Sequence, residues 1–169
     1  VRNLIRVDND GNLHVALEYF EFYNFFDKRM FSDKFVATFG APRSQSEPLS
    51  QKHEELAAAM QLVFEEVVIS VLHALHKKTG LKKLVASGGC FMNSVFNGKI
   101  TSNTPFTDVF ITSCPDDSGT SIGAALWLEA QRTGKRRMAP LLHNSWGPES
   151  SDAECLEVAL GCAPDYLGM

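Results

Sequence analysis

The chain has 169 residues, 44% of them hydrophobic and 21% charged, with a formal net charge of −4. That length allows one domain with a buried core, and the acidic balance gives no electrostatic footprint for DNA or other nucleic acid. No apolar run approaches the length of a membrane span and no secretory signal pattern opens the chain, so no membrane partner is expected.

Residues 4–8 and 13–17 are apolar runs flanking Asn9-Asp10-Gly11-Asn12. An Asp-Gly step between such runs predicts a β-hairpin. Residues 19–39 are dense in aromatics, including Tyr19, Phe20, Phe25, Phe26, Phe31, Phe35 and Phe39. Rings packed on a core or neighbouring domain explain them better than a base-stacking platform, which the charge disfavours. Residues 40–48, from Gly40 through Pro42 and Arg43 to Pro48, are a loop by composition. Arg43 is a candidate phosphate or partner contact, with solvated surface as the alternative.

Ser50 can cap a long helix ending at Thr79, with Gly80 as its C-terminal stop. Leu56, Met60, Val63, Phe64, Val67, Val71 and Leu75 fall at steps of three and four, which predicts one buried face. His73 and His76 could be taken for metal ligands, but Lys77 and Lys78 beside them suit a helix end facing solvent.

The stretch from Leu81 to Leu128 organises the chain. A strand at 84–86 ends in Ser87-Gly88-Gly89, and a second at 109–112 ends in Pro115-Asp116-Asp117-Ser118-Gly119. A helical segment between them implies a parallel crossover. Glycine lets backbone amides approach a phosphate without Cβ interference. Asn93 falls one turn further on. A carboxylate at Asp117 suits a hard divalent ion, Mg²⁺, Mn²⁺ or Fe²⁺; helix capping is the competing role. Gly119 and Gly123 suggest a helix face for close packing. Thr133 to Arg137 ends that helix, 139–149 is loop-like around Pro140, and Ser151-x-x-Glu154 is a capping box opening a tail helix to about Leu160. Cys90, Cys114, Cys155 and Cys162 form no CxxC pair and fit reduced thiols of a cytoplasmic protein. The Val1 start and the 164–169 end read as a piece of a longer polypeptide.

Three segments together resemble the ATP-dependent O-carbamoyltransferases that act on Nod factors, cephalosporins and aminoglycosides. They are Ser87-Gly88-Gly89-Cys90-Phe91-Met92-Asn93, Asn97-Gly98-Lys99-Ile100 and the run from Pro115 to Ala125. Phe39-Gly40-Ala41-Pro42-Arg43 and the run from His53 to Gln61 extend the resemblance over roughly residues 13–149. Glu55 and Ala59 stand where many relatives have Asp and Ser.

The resemblance implies an α/β fold: a ribonuclease-H-like lobe of the actin/sugar-kinase superfamily, a mixed sheet with flanking helices. It implies a single partial domain over 1–169, with its core at about 4–134, as the second lobe of a two-lobed transferase domain. Gly88, Gly89 and Asn93 would contact the phosphates of ATP, and Asp117 would ligate the divalent metal, with Asp116 the weaker candidate. The carbamoyl group would pass from carbamoyl phosphate through carbamoyladenylate to an acceptor hydroxyl. The first lobe and the downstream carbamoyladenylate-forming domain would be partners in the same longer chain. Alternatives are a tRNA threonylcarbamoyl transferase-like or other superfamily phosphotransferase lobe, or a non-catalytic interaction module.

Overall fold

The computed structural model describes residues 1–23, 29–135, 143 and 147–166, with side chains given as far as residue 161. Phe25, Phe26, Arg136, Arg137, Pro140 and the Cys162 side chain lie outside the described residues. The chain forms two compact units, residues 1–111 with 115–117, and residues 112–114 with 118–169.

In the first unit, strands β1 (Ile5–Val7) and β2 (Leu13–Val15) pair antiparallel, with Ile5 opposite Val15. The Asp8 carboxylate organises their connection. It accepts from the amides of Asp10 (3.0 Å) and Asn12 (2.9 Å) and lies 3.0 Å from His14 Nε2. The His14 contact, followed by the Asn12 amides, holds this carboxyl well below the usual carboxylate range. Gly11 sits at φ +83°, where a Cβ would come within 2.6 Å of Ala74 on the long helix. The predicted hairpin is therefore present, pinned closely to its neighbour.

The aromatic segment packs mainly on itself. Helix α1 (Asp33–Phe39) starts at Ser32, whose hydroxyl accepts from the Phe35 amide. Phe31, Phe35 and Phe39 stack along it, with Phe35 and Phe39 centroids 4.7 Å apart, and Tyr19 and Phe20 close the cluster.

Helix α2 (Gln51–Thr79) has the predicted ends. The Ser50 amide donates to His53 Nδ1, and Gly80 adopts the left-handed cap with its amide on the His76 carbonyl. Its burial corrects the single-face expectation. Met60 and Leu75 remain 49% and 39% exposed, whereas Leu72 is among the core residues. Val63 and Val67 face the groove beside the hairpin, which Phe64 also lines, while Phe64, Val68 and Ile69 pack against the core of Leu72, Leu84, Ala86, Phe96, Ile100 and Phe106. The helix thus serves two layers from faces roughly 100° apart, and a stripe drawn as one face falls between them.

By length and composition α2 also meets the requirement for a membrane span, contrary to the expectation that no apolar run reaches that length. Its charged residues Glu65 and Glu66 lie in mid-helix. Glu66 pairs with Arg2 at 2.6 Å and Glu65 with Lys99 at 2.8 Å.

Strands β3 (Lys83–Ala86) and β4 (Asp108–Ile111) pair parallel, with Leu84 opposite Val109 and Ala86 opposite Ile111. The connection runs through a turn at Gly89–Met92 and the short helices α3 (Ser94–Asn97) and α4 (Ile100–Asn103). Leu72, Leu84, Ala86, Phe96, Ile100 and Phe106 form the core, with Phe96 and Ile100 wholly buried. Val85, on the opposite face of β3, is 74% exposed. The expected single mixed sheet is not what forms among the described residues. The hairpin and the parallel pair are separate two-stranded sheets, because each lays its apolar face on α2 rather than extending the other. The mixed α/β class stands.

The second unit holds helices α5 (Gly119–Thr133) and α6 (Asp152–Tyr166). α5 ends at left-handed Gly134, as expected. α6 opens with the predicted capping box, Ser151 N–H to Glu154 Oε2 at 2.7 Å, and runs past Leu160 to Tyr166. A Cβ on Gly119 would overlap the Cys114 carbonyl oxygen, so this turn requires glycine. Among the described residues nothing lies within 4 Å of a Cβ built on Gly123.

Candidate functional site

The two turns that follow β3 and β4 are joined to each other. The Gly88 amide donates to the Pro115 carbonyl at 2.5 Å, and the Ser87 hydroxyl donates to the same oxygen at 3.1 Å. Parallel strands in register deliver both turns to the same sheet end, where ligands of open α/β sheets bind. Gly88, Gly89, Asn93, Asp116 and Asp117 all belong to the first unit.

Gly88 has φ +110° and ψ 152°, a region open essentially to glycine alone. Its carbonyl accepts from the Phe91 amide at 2.9 Å, closing the turn at Gly89–Met92. The amides of Gly89 and Cys90 begin that turn, where no preceding intrahelical carbonyl can serve them. Among the described residues nothing lies within 4 Å of a Cβ built on either glycine. The backbone here is exposed, and a ligand can approach it directly.

Asn93 is placed differently. Its Oδ1 accepts from the Phe96 amide at 3.0 Å and caps α3, while its Nδ2 donates to Gln61 Oε1 at 2.7 Å. Gln61 Nε2 also donates to Glu65 Oε1 at 2.8 Å, and Lys99 Nζ reaches both Glu65 oxygens at 2.8 Å. The Lys99 contact, then the Gln61 one, holds the Glu65 carboxyl below its ordinary range. The Asn93 side chain is thus a strut between α2 and α3. It fixes the segment following the glycine turn. Sequence reasoning did not single out this network. Gln61 and Lys99 lie inside the quoted family segments, but Glu65 carries no local signal. Asn97, in the Asn97-Gly98-Lys99 segment, donates through Nδ2 to the Phe91 carbonyl at 2.7 Å; its buried Oδ1 has no hydrogen-bond partner among the described residues.

Asp116 is half-buried and Asp117 exposed, just ahead of α5. The N-cap position of α5 is Ser118, one residue beyond Asp117. Among the described residues, no three His, Cys, Asp or Glu side chains converge as a metal ligand set. His73 and His76 do not act as a pair: His73 Nε2 lies 3.0 Å from the Asn103 carbonyl and the His76 ring packs edge-on against Phe106. Cys90, Cys114 and Cys155 are free thiols.

Residues 1–126 match the family model described as carbamoyltransferase N-terminus. The uncharacterised Synechocystis protein sll1178 is 34% identical over 137 residues, covering 80% of this chain and 22% of that protein. Nodulation protein NolO of Bradyrhizobium diazoefficiens is 29% identical over 127 residues, covering 74% of the chain and 23% of the relative. Nodulation protein NolNO of Sinorhizobium fredii is 30% identical over 118 residues, covering 70% and 17%. The chain therefore spans about a fifth of the length of these curated relatives.

Proposed function

The chain belongs to the carbamoyltransferase family, and we propose that it is the nucleotide- and metal-binding lobe of an O-carbamoyltransferase. In this reading a longer polypeptide moves a carbamoyl group from carbamoyl phosphate, via carbamoyladenylate, to an acceptor hydroxyl. The lobe is of the ribonuclease-H-like kind found in the actin/sugar-kinase superfamily. The observation that carries the reading is the bond from Gly88 to Pro115, which makes one site of two turns 27 residues apart.

The reading gives each residue a role. Amides of the Gly88-Gly89 turn hold a phosphate of the nucleotide, and glycine at both positions lets it approach the backbone. The Gln61–Asn93–Phe96 contacts fix the turn's C-terminal side, so its donors stay aimed without reorganisation. A phosphate held there fixes the adenylate, and so its carbonyl, for attack by the acceptor oxygen; this is a contribution of position. Asp117 supplies one carboxylate to a divalent ion. The described residues do not complete a ligand set, so in this reading the remaining ligands lie outside them. No step of the transfer is assigned to the ion.

The test is a pair of substitutions in that longer polypeptide. Asn keeps the shape of Asp and removes its charge, so Asp117→Asn should alter stability by no more than about 0.5 kcal/mol. It should also lose metal affinity and most turnover, with Asp116→Asn much milder. A fully active Asp117→Asn enzyme with normal metal content overturns the assignment, and loss at Asp116 alone moves it to the neighbouring carboxylate.

A further inference from the structure

The Phe39-Gly40-Ala41-Pro42-Arg43 segment takes no part in the two phosphate turns. It forms one wall of a second pocket, of about 130 Å³, between α1 and the first turns of α2. Phe31, Phe35 and Phe39 supply a wall of rings, and Arg43, Lys52 and His53 supply the polar groups.

The polar groups share one property: each can donate to an anion. The Lys52 ammonium lies over Gly40, where a Cβ would come within 2.5 Å of Nζ, so the glycine admits it. Among the described residues Lys52 has no carboxylate partner. Arg43 donates to the backbone carbonyl of Glu47, and among the described residues it forms no ion pair with a carboxylate. His53 Nδ1 accepts from the Ser50 amide at 3.0 Å, which leaves the proton of the neutral ring on Nε2 as a donor. Nearby carboxylates are engaged elsewhere: Glu47 accepts from the Ser44 amide and Glu55 from Gln51.

We propose that this pocket binds a small organic oxyanion, a phosphate or carboxylate on a single flat ring. The ring packs against the phenylalanines, and the anion meets Lys52, Arg43 and the His53 Nε2–H. A cavity of about 150 Å³ encloses one benzene ring, so the smaller pocket here seats most of one ring and leaves the anion at its rim, where Arg43 and Lys52 are exposed. Charge-assisted bonds from a guanidinium and an ammonium select phosphate and carboxylate over neutral groups. The pocket is distinct from the glycine turn. His53 precedes Gln61, the residue that contacts Asn93, by eight positions on one helix, about 12 Å along its axis. The proposal stands whether or not the chain transfers carbamoyl groups.

The experiment is calorimetric titration of the full polypeptide carrying this chain with phenyl phosphate, benzoate, inorganic phosphate and benzyl alcohol. Phenyl phosphate and benzoate should bind saturably, and the tighter of the two identifies the anion class. Inorganic phosphate, without a ring, should bind more weakly than phenyl phosphate, and benzyl alcohol should not saturate. Lys52→Gln and Arg43→Gln should each weaken binding by roughly tenfold or more, the scale of one charge-assisted hydrogen bond. Lys52→Arg should restore most of it. Both side chains are exposed, so folding should survive, and an unchanged thermal midpoint confirms this. Gly89→Ala should leave phenyl phosphate binding intact, which separates this pocket from the nucleotide turn. Absence of saturable binding, equal binding of benzyl alcohol, or an unaffected Lys52→Gln variant overturns the proposal.

Discussion

Alanine at Gly88 and alanine at Gly89 should have opposite consequences. Gly88 sits at φ +110° and ψ 152°, a region where an L side chain costs about 1–3 kcal/mol. Among the described residues no atom lies within 4 Å of the added Cβ, so steric overlap with them adds nothing to that backbone strain. Gly89 has no positive φ and the same open surroundings. Its replacement by alanine should shift stability by no more than about 0.5 kcal/mol, or raise it slightly by restricting the unfolded chain. If a nucleotide phosphate rests on these amides, the Gly89 methyl would stand where the phosphate approaches. Losing one hydrogen bond to a charged group costs about 1.5–3 kcal/mol, or roughly ten- to a hundredfold or more in affinity. Urea unfolding measures the first quantity and titration with a non-hydrolysable ATP analogue the second, both in the longer polypeptide. The expected result for Gly89→Ala is unchanged stability with weakened nucleotide binding. Wild-type affinity in that variant refutes the phosphate role, and an undiminished stability in Gly88→Ala refutes the strain argument.

Other substitutions test the frame around the turns. Gly119→Ala forces a Cβ onto the Cys114 carbonyl and should cost about 1–3 kcal/mol or more by thermal unfolding, whereas Gly123→Ala should be nearly neutral. Phe96→Ala removes a wholly buried ring that meets Phe64 edge-on at 5.4 Å and should cost about 3–5 kcal/mol. The Lys99 and Gln61 contacts lower the Glu65 pKa, so their stabilisation is present above the ordinary Glu value of about 4.3 and is lost as pH falls through the folded value. Glu65→Gln should therefore lower the thermal midpoint at neutral pH, with the deficit closing in acid; a deficit independent of pH contradicts this.

Local signals foretold local structure. Asp10-Gly11 marked the hairpin, Ser50 and Gly80 bounded α2, and Ser151 with Glu154 opened α6, because each acts through a few neighbouring backbone groups. The two strand-to-turn steps were legible for the same reason, as was the parallel pairing that a helical crossover implies. What failed depends on residues far apart. The faces of α2 could not be divided without knowing that two separate sheets would share it. Glu65 gained its role only when Lys99, 34 residues on, came within 2.8 Å. The Asn93 amide meets Gln61 on another helix, a partner that its spacing from the glycines does not announce. Gly119 and Gly123 looked equivalent, and only the first meets a backbone carbonyl.

If this chain supplies part of the site of an ATP-dependent O-carbamoyltransferase, carbamoyl transfer must need both ATP and the longer polypeptide. The most direct measurement follows labelled carbamoyl from carbamoyl phosphate onto a panel of hydroxyl acceptors, using the longer polypeptide and, separately, residues 1–169. ATP-dependent transfer by the longer polypeptide, abolished by Asp117→Asn, with none from residues 1–169 alone, is the predicted result. Robust transfer by residues 1–169 alone, or transfer by the longer polypeptide that needs no ATP, would contradict the account.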